Sequence, residues 1–180
     1  SLGSLDGTLD VAANPRISRA VMNVGGSTIV DILTYSPAFA PTFSALLASL
    51  GILPGSTEEL LFHLGAHWIL DPAEPGNFAG HLVAAPLPSL LAAPTGATPQ
   101  LPKAVFAQAA RCDSVVPNVT NELLYGLVGL APLGPTTSSS APGLQWFMRD
   151  ATTPCPADGS TGAGGAPHGF LLDWTDPTMA

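Results

Sequence analysis

The chain has 180 residues, of which 46% are hydrophobic and 10% are charged, and its mean hydropathy is positive. This composition is typical of a folded chain and excludes a disordered one. The formal net charge is −8 and the five basic residues are scattered, so the chain has no basic face for phosphate and we expect no nucleic-acid binding. No apolar run reaches the roughly 18 to 20 residues that a membrane span requires, so we expect no transmembrane segment.

In chain order, the first feature is Ser1-Leu2-Gly3 ahead of a predicted helix over 2–13, which Asn14 and Pro15 would end. A serine with small neighbours is what a nucleophile elbow requires, because the serine there occupies a tight strand-to-helix turn. Such a triplet also occurs by chance, so on its own it leaves open that Ser1 is a frayed terminal residue. The chain does not begin with Met and has no secretion-type leader, and we expect it to be a fragment whose upstream part is missing.

The next predicted element is a buried strand over 20–24, an apolar run that Gly25 and Gly26 close. After it, the segment 31–100 is too long for a single crossover helix. Apolar residues at helical spacing over 39–50 predict one helix within this segment. A second helix is predicted after Ser56 or Thr57 as N-cap, with two glutamates in its first turn.

We interpret the apolar side chains of these two helices as core or cap packing; the alternative is that they line an acyl pocket. His63 and His67 are four residues apart in the second helix, a spacing that can bind a metal ion. They lack the intervening Glu of H-E-x-x-H and a third ligand, so we interpret both as cap histidines and expect no metal site. The residues 70–78 are predicted to form a turn-rich loop, and 84–102 an irregular connector.

A second buried strand is predicted over 104–107, and a loop containing Cys112, Asp113 and Pro117 follows it. A carboxylate just past the end of a buried strand stands where α/β folds keep their chemistry. Beyond this loop we predict an amphipathic helix over 120–130, a last strand over 144–148, and a loop over 152–166. That loop leads to His168, which lies between Pro167 and Gly169.

Taken together, Ser1, Asp113 and His168 supply the three groups that a serine hydrolase needs. The serine requires a base within hydrogen-bond reach, and the base requires a carboxylate that fixes its tautomer and stabilises its charge. Each of the three residues falls in a loop at a predicted strand end or at a strand-to-helix turn. His168 lies in a Pro- and Gly-flanked loop rather than on an apolar helix face, which favours a catalytic histidine over a buried core histidine.

Four stretches of the chain resemble the C-terminal half of an α/β-hydrolase. They are Ser1-Leu2-Gly3, the strand 19–26, the loop 113–118 and His168-Gly169-Phe170-Leu171. The similarity is greatest to bacterial extracellular and surface-lipoprotein lipases and esterases, whose elbow reads Gly-His-Ser-Leu-Gly. The resemblance implies a parallel sheet with crossover helices in a single domain. In it, 1–30 would hold the elbow, a helix and a strand, 31–100 would be an inserted helical cap, and 101–180 would hold the last strands with the acid and histidine loops.

The resemblance also implies roles for individual residues. Ser1 would be the nucleophile, Asp113 the triad acid, His168 the general base, and the backbone N–H of Leu2 one donor of the oxyanion hole. The second donor would belong to an upstream loop, so we expect the chain alone to lack half of its sheet and to be inactive by itself. No cofactor or metal is implied, and the implied location is extracellular or in the bacterial cell envelope.

Cys112 lies beside the triad acid, and Cys155 lies in the loop that leads to the triad base. In an oxidising compartment the two could form a disulfide that braces the site, and the alternative is two unrelated thiols.

The expected function is hydrolysis of carboxylic esters, with a lipid-like or other small-molecule ester as substrate and peripheral contact with neutral lipid. An esterase of non-lipid substrates is an alternative within the same fold. A catalytically inactive α/β-hydrolase remnant that serves as a binding or structural domain is the alternative from another class.

Overall fold

The computed structural model describes residues 1–89, 98–132, 142–148 and 152–172. Within these ranges the protein is a mixed α/β structure with six α-helices and a small parallel sheet. The helices are α1 Leu2–Ala13, α2 Ile29–Tyr35, α3 Ala40–Ser49, α4 Thr57–Leu70, α5 Pro75–Ala79 and α6 Asn118–Val128. The strands are β1 Arg19–Asn23, β2 Pro88–Ser89, β3 Thr98–Pro99, β4 Ala104–Ala110 and β5 Gly143–Phe147, and 3₁₀ turns cover Asp71–Ala73 and Phe170–Leu172.

The parallel sheet has three strands in the order β1-β4-β5. Arg19 is in register with Ala104, and Phe106 is in register with Gly143. Parallel neighbours need long crossover connections; α2 to α5 lie in the first connection and α6 lies in the second. The expectation of a parallel sheet with crossover helices is therefore confirmed at the level of the α/β class.

The core lies on one face of this sheet. Side chains alternate along β4, so that Val105, Ala107 and Ala109 are buried together with Met22 of β1. Helices α1 and α6 contact this sheet at β1 and β4, and α5 lies against both helices. On the opposite face Val21 is 69% exposed, so the described residues leave that face of the sheet open.

The helix boundaries follow from local chemistry. Helix α1 ends where Asn14 and Pro15 were predicted to end it, and Ser56 caps α4 by accepting a hydrogen bond from the backbone N–H of Glu59 at 3.2 Å. Helix α6 ends at Val128, earlier than predicted, because Gly129 adopts a left-handed φ of 85° and forms the C-cap.

Two loop predictions were incomplete. The segment 70–78 contains the 3₁₀ turn and α5, which begins at Pro75, a residue whose fixed φ suits the first helical position. The predicted connector 84–102 contains the β2–β3 ribbon, and its residues 90–97 lie outside the described part of the chain.

The predicted packing of the second helix in 31–100 was wrong. No residue of α4 is buried, and Leu60, Leu61, Leu64 and Trp68 are 57 to 79% exposed. At about 100° per residue these four side chains fall on one arc of the helix, and the two histidines fall on the arc next to it. Helix α4 packs through the histidine side, because it lies on α2 and on the ring of Phe43 rather than between two layers.

No helix in the described ranges combines the length and the apolar character that a membrane crossing requires.

Candidate active site

Three side chains that are far apart in the sequence meet beyond the carboxyl end of β4. His168 Nε2 lies 3.0 Å from Ser1 Oγ, and His168 Nδ1 lies 2.8 Å from Asp113 Oδ2 and 3.0 Å from Asp113 Oδ1. Asp113 is the buried end of this chain of contacts, since its side chain is 0% exposed, and Ser1 is the exposed end. The structure thus brings all three residues of the predicted triad together.

The contacts fix the tautomer of a neutral His168. An ionised carboxylate can only accept hydrogen bonds, so the imidazole proton must lie on Nδ1, facing Asp113. The lone pair of Nε2 then faces Ser1 and can accept its hydroxyl proton. This is the arrangement that a general base needs next to a serine nucleophile.

The carboxylate of Asp113 is hydrogen-bonded to the backbone of the residues that follow it in its own loop. Its Oδ1 accepts hydrogen bonds from the backbone N–H groups of Val115 at 2.8 Å and of Val116 at 3.1 Å. This local turn is the type that Asp commonly makes with its own backbone. These two bonds orient the carboxylate independently of its contact with His168.

His168 is positioned by its neighbours in the chain. Ala166 and Phe170 are both buried in a small cluster with Val24 and Ala110, which lie just after β1 and at the end of β4. The ring of Phe170 also stacks on Phe147 of β5, with the ring centroids 4.3 Å apart. The residues on either side of His168 thus rest on the ends of all three parallel strands.

The acid and histidine loops are also joined directly. Cys112 and Cys155 form a disulfide, and the backbone N–H of Ala166 donates to the carbonyl of Arg111 at 2.9 Å. At Gly165 a Cβ atom would lie 2.7 Å from that same carbonyl oxygen, so only glycine allows this approach. The two loops that carry Asp113 and His168 therefore form one unit.

Ser1 precedes α1, and the first N–H groups of a helix have no acceptor within the helix. The N–H of Leu2 is one of them and lies next to the serine, where the positive end of the helix dipole favours negative charge. Farther along α1, Ser4 Oγ accepts from the N–H of Asn23 at 2.7 Å and donates to its carbonyl at 2.8 Å. These bonds tie the helix that follows Ser1 to the end of β1.

A polar network behind the triad was not predicted from the sequence. Asn118 and Asn121, in the first turn of α6, bind backbone groups at the ends of β4 and β1, and Tyr125 OH accepts from the N–H of Gly25 at 3.0 Å. Burial raises the pKa of Tyr125 to about 12, so this hydroxyl stays neutral. The spacing of the two asparagines directly after the Asp113 loop is the sequence feature that could have indicated this network.

His63 and His67, the two histidines of α4, have separate partners. His67 Nε2 lies 3.7 Å from Asp31, and His63 packs against the ring of Phe43. The described residues contain no group of three or more His, Cys, Asp or Glu side chains that could hold a metal ion.

Comparisons of this chain with protein-family models, with curated proteins and with solved structures find no significant match. The chemistry of the site is therefore the basis for its functional interpretation.

Proposed function

We propose that this protein is a serine hydrolase of the α/β-hydrolase type that cleaves carboxylic esters. The observation that carries the proposal is the continuous set of contacts from Ser1 Oγ through His168 to Asp113, with heavy-atom distances of 3.0 and 2.8 Å. Under this proposal the three side chains would act as nucleophile, base and orienting carboxylate, and they lie within hydrogen-bonding distance of one another at a strand end. A binding domain that had lost its activity would have no need to keep this geometry.

In the proposed reaction, His168 Nε2 takes the hydroxyl proton as Ser1 Oγ attacks the ester carbonyl carbon. The tetrahedral oxyanion is stabilised by backbone N–H groups, with Leu2 as one donor. Collapse of this intermediate breaks the bond to the alcohol, which leaves with the proton from His168. Water then attacks the acyl-enzyme with His168 again as base, which releases the acid and restores Ser1.

The substrate class that we propose is a lipid-like ester. Helix α4 turns four large apolar side chains outward, and the most exposed of them, Trp68, is 79% exposed. The segment 20–102 contains no Lys or Arg, so its helices offer no cation to an anionic lipid surface. An exposed apolar surface with these properties suits neutral lipid or an apolar acyl chain.

We further propose that the protein works in an oxidising compartment, extracellular or in the bacterial cell envelope. The disulfide between Cys112 and Cys155 supports this location, because such bonds persist in exported proteins and are rare in the reducing cytosol.

The test uses a fluorophosphonate probe, which reacts with activated serines, on the product of the complete gene. Wild type should be labelled, and S1A should not. D113N should retain Ser1 but lose about 10⁴-fold in kcat for a p-nitrophenyl ester, because the amide no longer fixes the imidazole tautomer. D6N, which changes an exposed residue of α1, is the matched control.

A series of p-nitrophenyl esters of increasing acyl length tests the substrate class; kcat/KM should rise with chain length. Folded wild-type protein that is neither labelled nor hydrolytic would contradict the proposal and favour the inactive binding domain. Activity on short acyl chains alone would favour the non-lipid esterase.

A further inference from the structure

Asn118 joins the end of β4 to the loop that carries the triad acid. Its Nδ2 donates to the carbonyl of Ala110, the last residue of β4, at 2.7 Å. Its Oδ1 accepts from the backbone N–H of Cys112, the residue just before Asp113, also at 2.7 Å. One side chain thus spans the turn between the strand and the acid.

This turn has an unusual backbone. Cys112 has a φ of 57°, a left-handed conformation that residues other than glycine adopt only when their surroundings hold it. Asn118 binds the N–H group of this residue, and the disulfide holds its side chain. Downstream of the turn, Val115 and Val116 bind the carboxylate of Asp113 itself.

We infer that Asn118 is a positioning residue for the hydrolytic reaction, which fixes the Cys112 turn so that the Asp113 carboxylate meets His168 Nδ1. This inference rests on the proposed function. Asn118 touches neither the substrate nor the reacting atoms, so its effect passes entirely through Asp113. A displacement of about 1 Å in a catalytic group can cost on the order of a hundredfold in rate, and holding such a group is the effect we assign to Asn118.

Asn121 provides a matched comparison within the same network. It is 0% exposed, accepts from Asn118 Nδ2 at 2.9 Å, and donates to the carbonyl of Gly25 at 2.6 Å. Removing its side chain leaves both bonds from Asn118 to the turn in place. A residue that serves only stability should behave like Asn121.

The experiment measures kcat and KM for a soluble short-chain ester, at a temperature well below unfolding, in wild type, N118A and N121A. Thermal unfolding is recorded for each variant. Both variants should unfold at lower temperature, because each leaves buried backbone groups without a partner. N118A should lose about ten- to a hundredfold in kcat with KM nearly unchanged, whereas N121A should stay within about threefold of wild type. N118D, which keeps an acceptor for the Cys112 N–H, should recover part of the loss.

A second measurement separates this inference from the proposed function. An imidazole Nδ1–H bonded to a carboxylate gives a proton NMR resonance far downfield, which needs no substrate. This resonance should be present in wild type and N121A and be lost or broadened in N118A. If wild type does not hydrolyse esters, the proposed function fails and the resonance alone decides the positioning role. Equal kcat losses in both alanine variants, or a resonance that N118A retains, would overturn the role of Asn118.

Discussion

The region at the strand ends and helix α4 are built in opposite ways. At the strand ends, Asp113 is held by backbone N–H groups and by His168, and the residues next to His168 are buried. A disulfide joins the loops that carry these two residues. Helix α4, in contrast, has no buried residue and presents three leucines and Trp68 to solvent.

An apolar segment of this protein is therefore not necessarily part of its buried core. Helix α4 is rich in apolar residues, yet its ring and charge contacts with neighbouring helices involve Phe62 and two histidines, while its leucines stay out of the core. The strand ends contain many polar groups, yet Asp113, Asn121 and Tyr125 there are almost fully buried. These polar side chains can be buried because they find hydrogen-bond partners, and burying a polar group without a partner costs free energy.

The largest expected effect comes from breaking the covalent tie at the strand ends. Cys112 and Cys155 are 43 residues apart, and closing a loop of that size restricts the unfolded chain by about 4 kcal/mol. The variant C112A/C155A should therefore lose about that much free energy of unfolding, measured by urea denaturation. A reductant should destabilise wild type similarly and leave the variant unchanged. Equal stability of both proteins under oxidising conditions would show that the bond does not brace the fold.

A pair of substitutions compares the core with the exposed side of α4. Leu124 of α6 is 0% exposed and Leu64 of α4 is 57% exposed. L124A should cost about 2 to 5 kcal/mol, because it leaves a cavity in the core. L64A should change the free energy of unfolding by less than about 0.5 kcal/mol. The same denaturation measurement checks both variants, and a large loss in L64A would show that the outward face of α4 is covered in the folded protein.

The smallest effect concerns Glu74, which lies between the 3₁₀ turn Asp71–Ala73 and α5. Its side chain accepts from the N–H of Ile29 at 2.8 Å, and its other oxygen is buried without a partner among the described residues. Burial raises the pKa of Glu74 above its ordinary value of 4.5. The folded state therefore binds this proton more tightly than the unfolded state does, and the associated stability is lost as the pH rises through the raised pKa.

The glutamine of E74Q cannot ionise, so this variant should not lose stability in this way as the pH rises. The unfolding temperature of E74Q relative to wild type should therefore increase between mildly acidic and neutral pH, as measured by thermal denaturation across that range. The exposed variant E58Q is the control and should show no such trend. The opposite result, an unfolding temperature of wild type that rises relative to that of E74Q as the pH increases, would contradict this prediction. It would mean that the folded state favours the ionised carboxylate, with His67 as its partner.

Much of the strand-end region could be predicted from the sequence. The helix over 2–13, the strands and the Asp113 loop have local markers: Pro after a helix, Gly pairs after a strand, and a carboxylate after an apolar run. The meeting of Ser1, Asp113 and His168 also follows from the geometry of parallel strands, whose carboxyl ends share one edge of the sheet. Their catalytic roles remain a prediction.

The remaining features depend on tertiary contacts that no local pattern encodes. The outward leucines of α4 have the same spacing that buried ones would have, so periodicity could not reveal which side of the helix packs. The left-handed backbone of Cys112 depends on Asn118, six residues farther along the chain. Likewise, a Cβ atom at position 165 would meet the carbonyl oxygens of Thr161 and Arg111, and the second of these arrives from a distant part of the chain.

The wide sequence separation of the triad has a consequence for biosynthesis. Ser1 and His168 are 167 residues apart, and His168 and Asp113 are 55 apart. Contacts this distant in the chain form late and slowly during folding, because loop closure must precede them. A nascent or partly folded chain therefore has a serine without its base. If the protein is a hydrolase, its activity appears only on completion of folding, which would protect the ester lipids of the producing cell while the chain is being made.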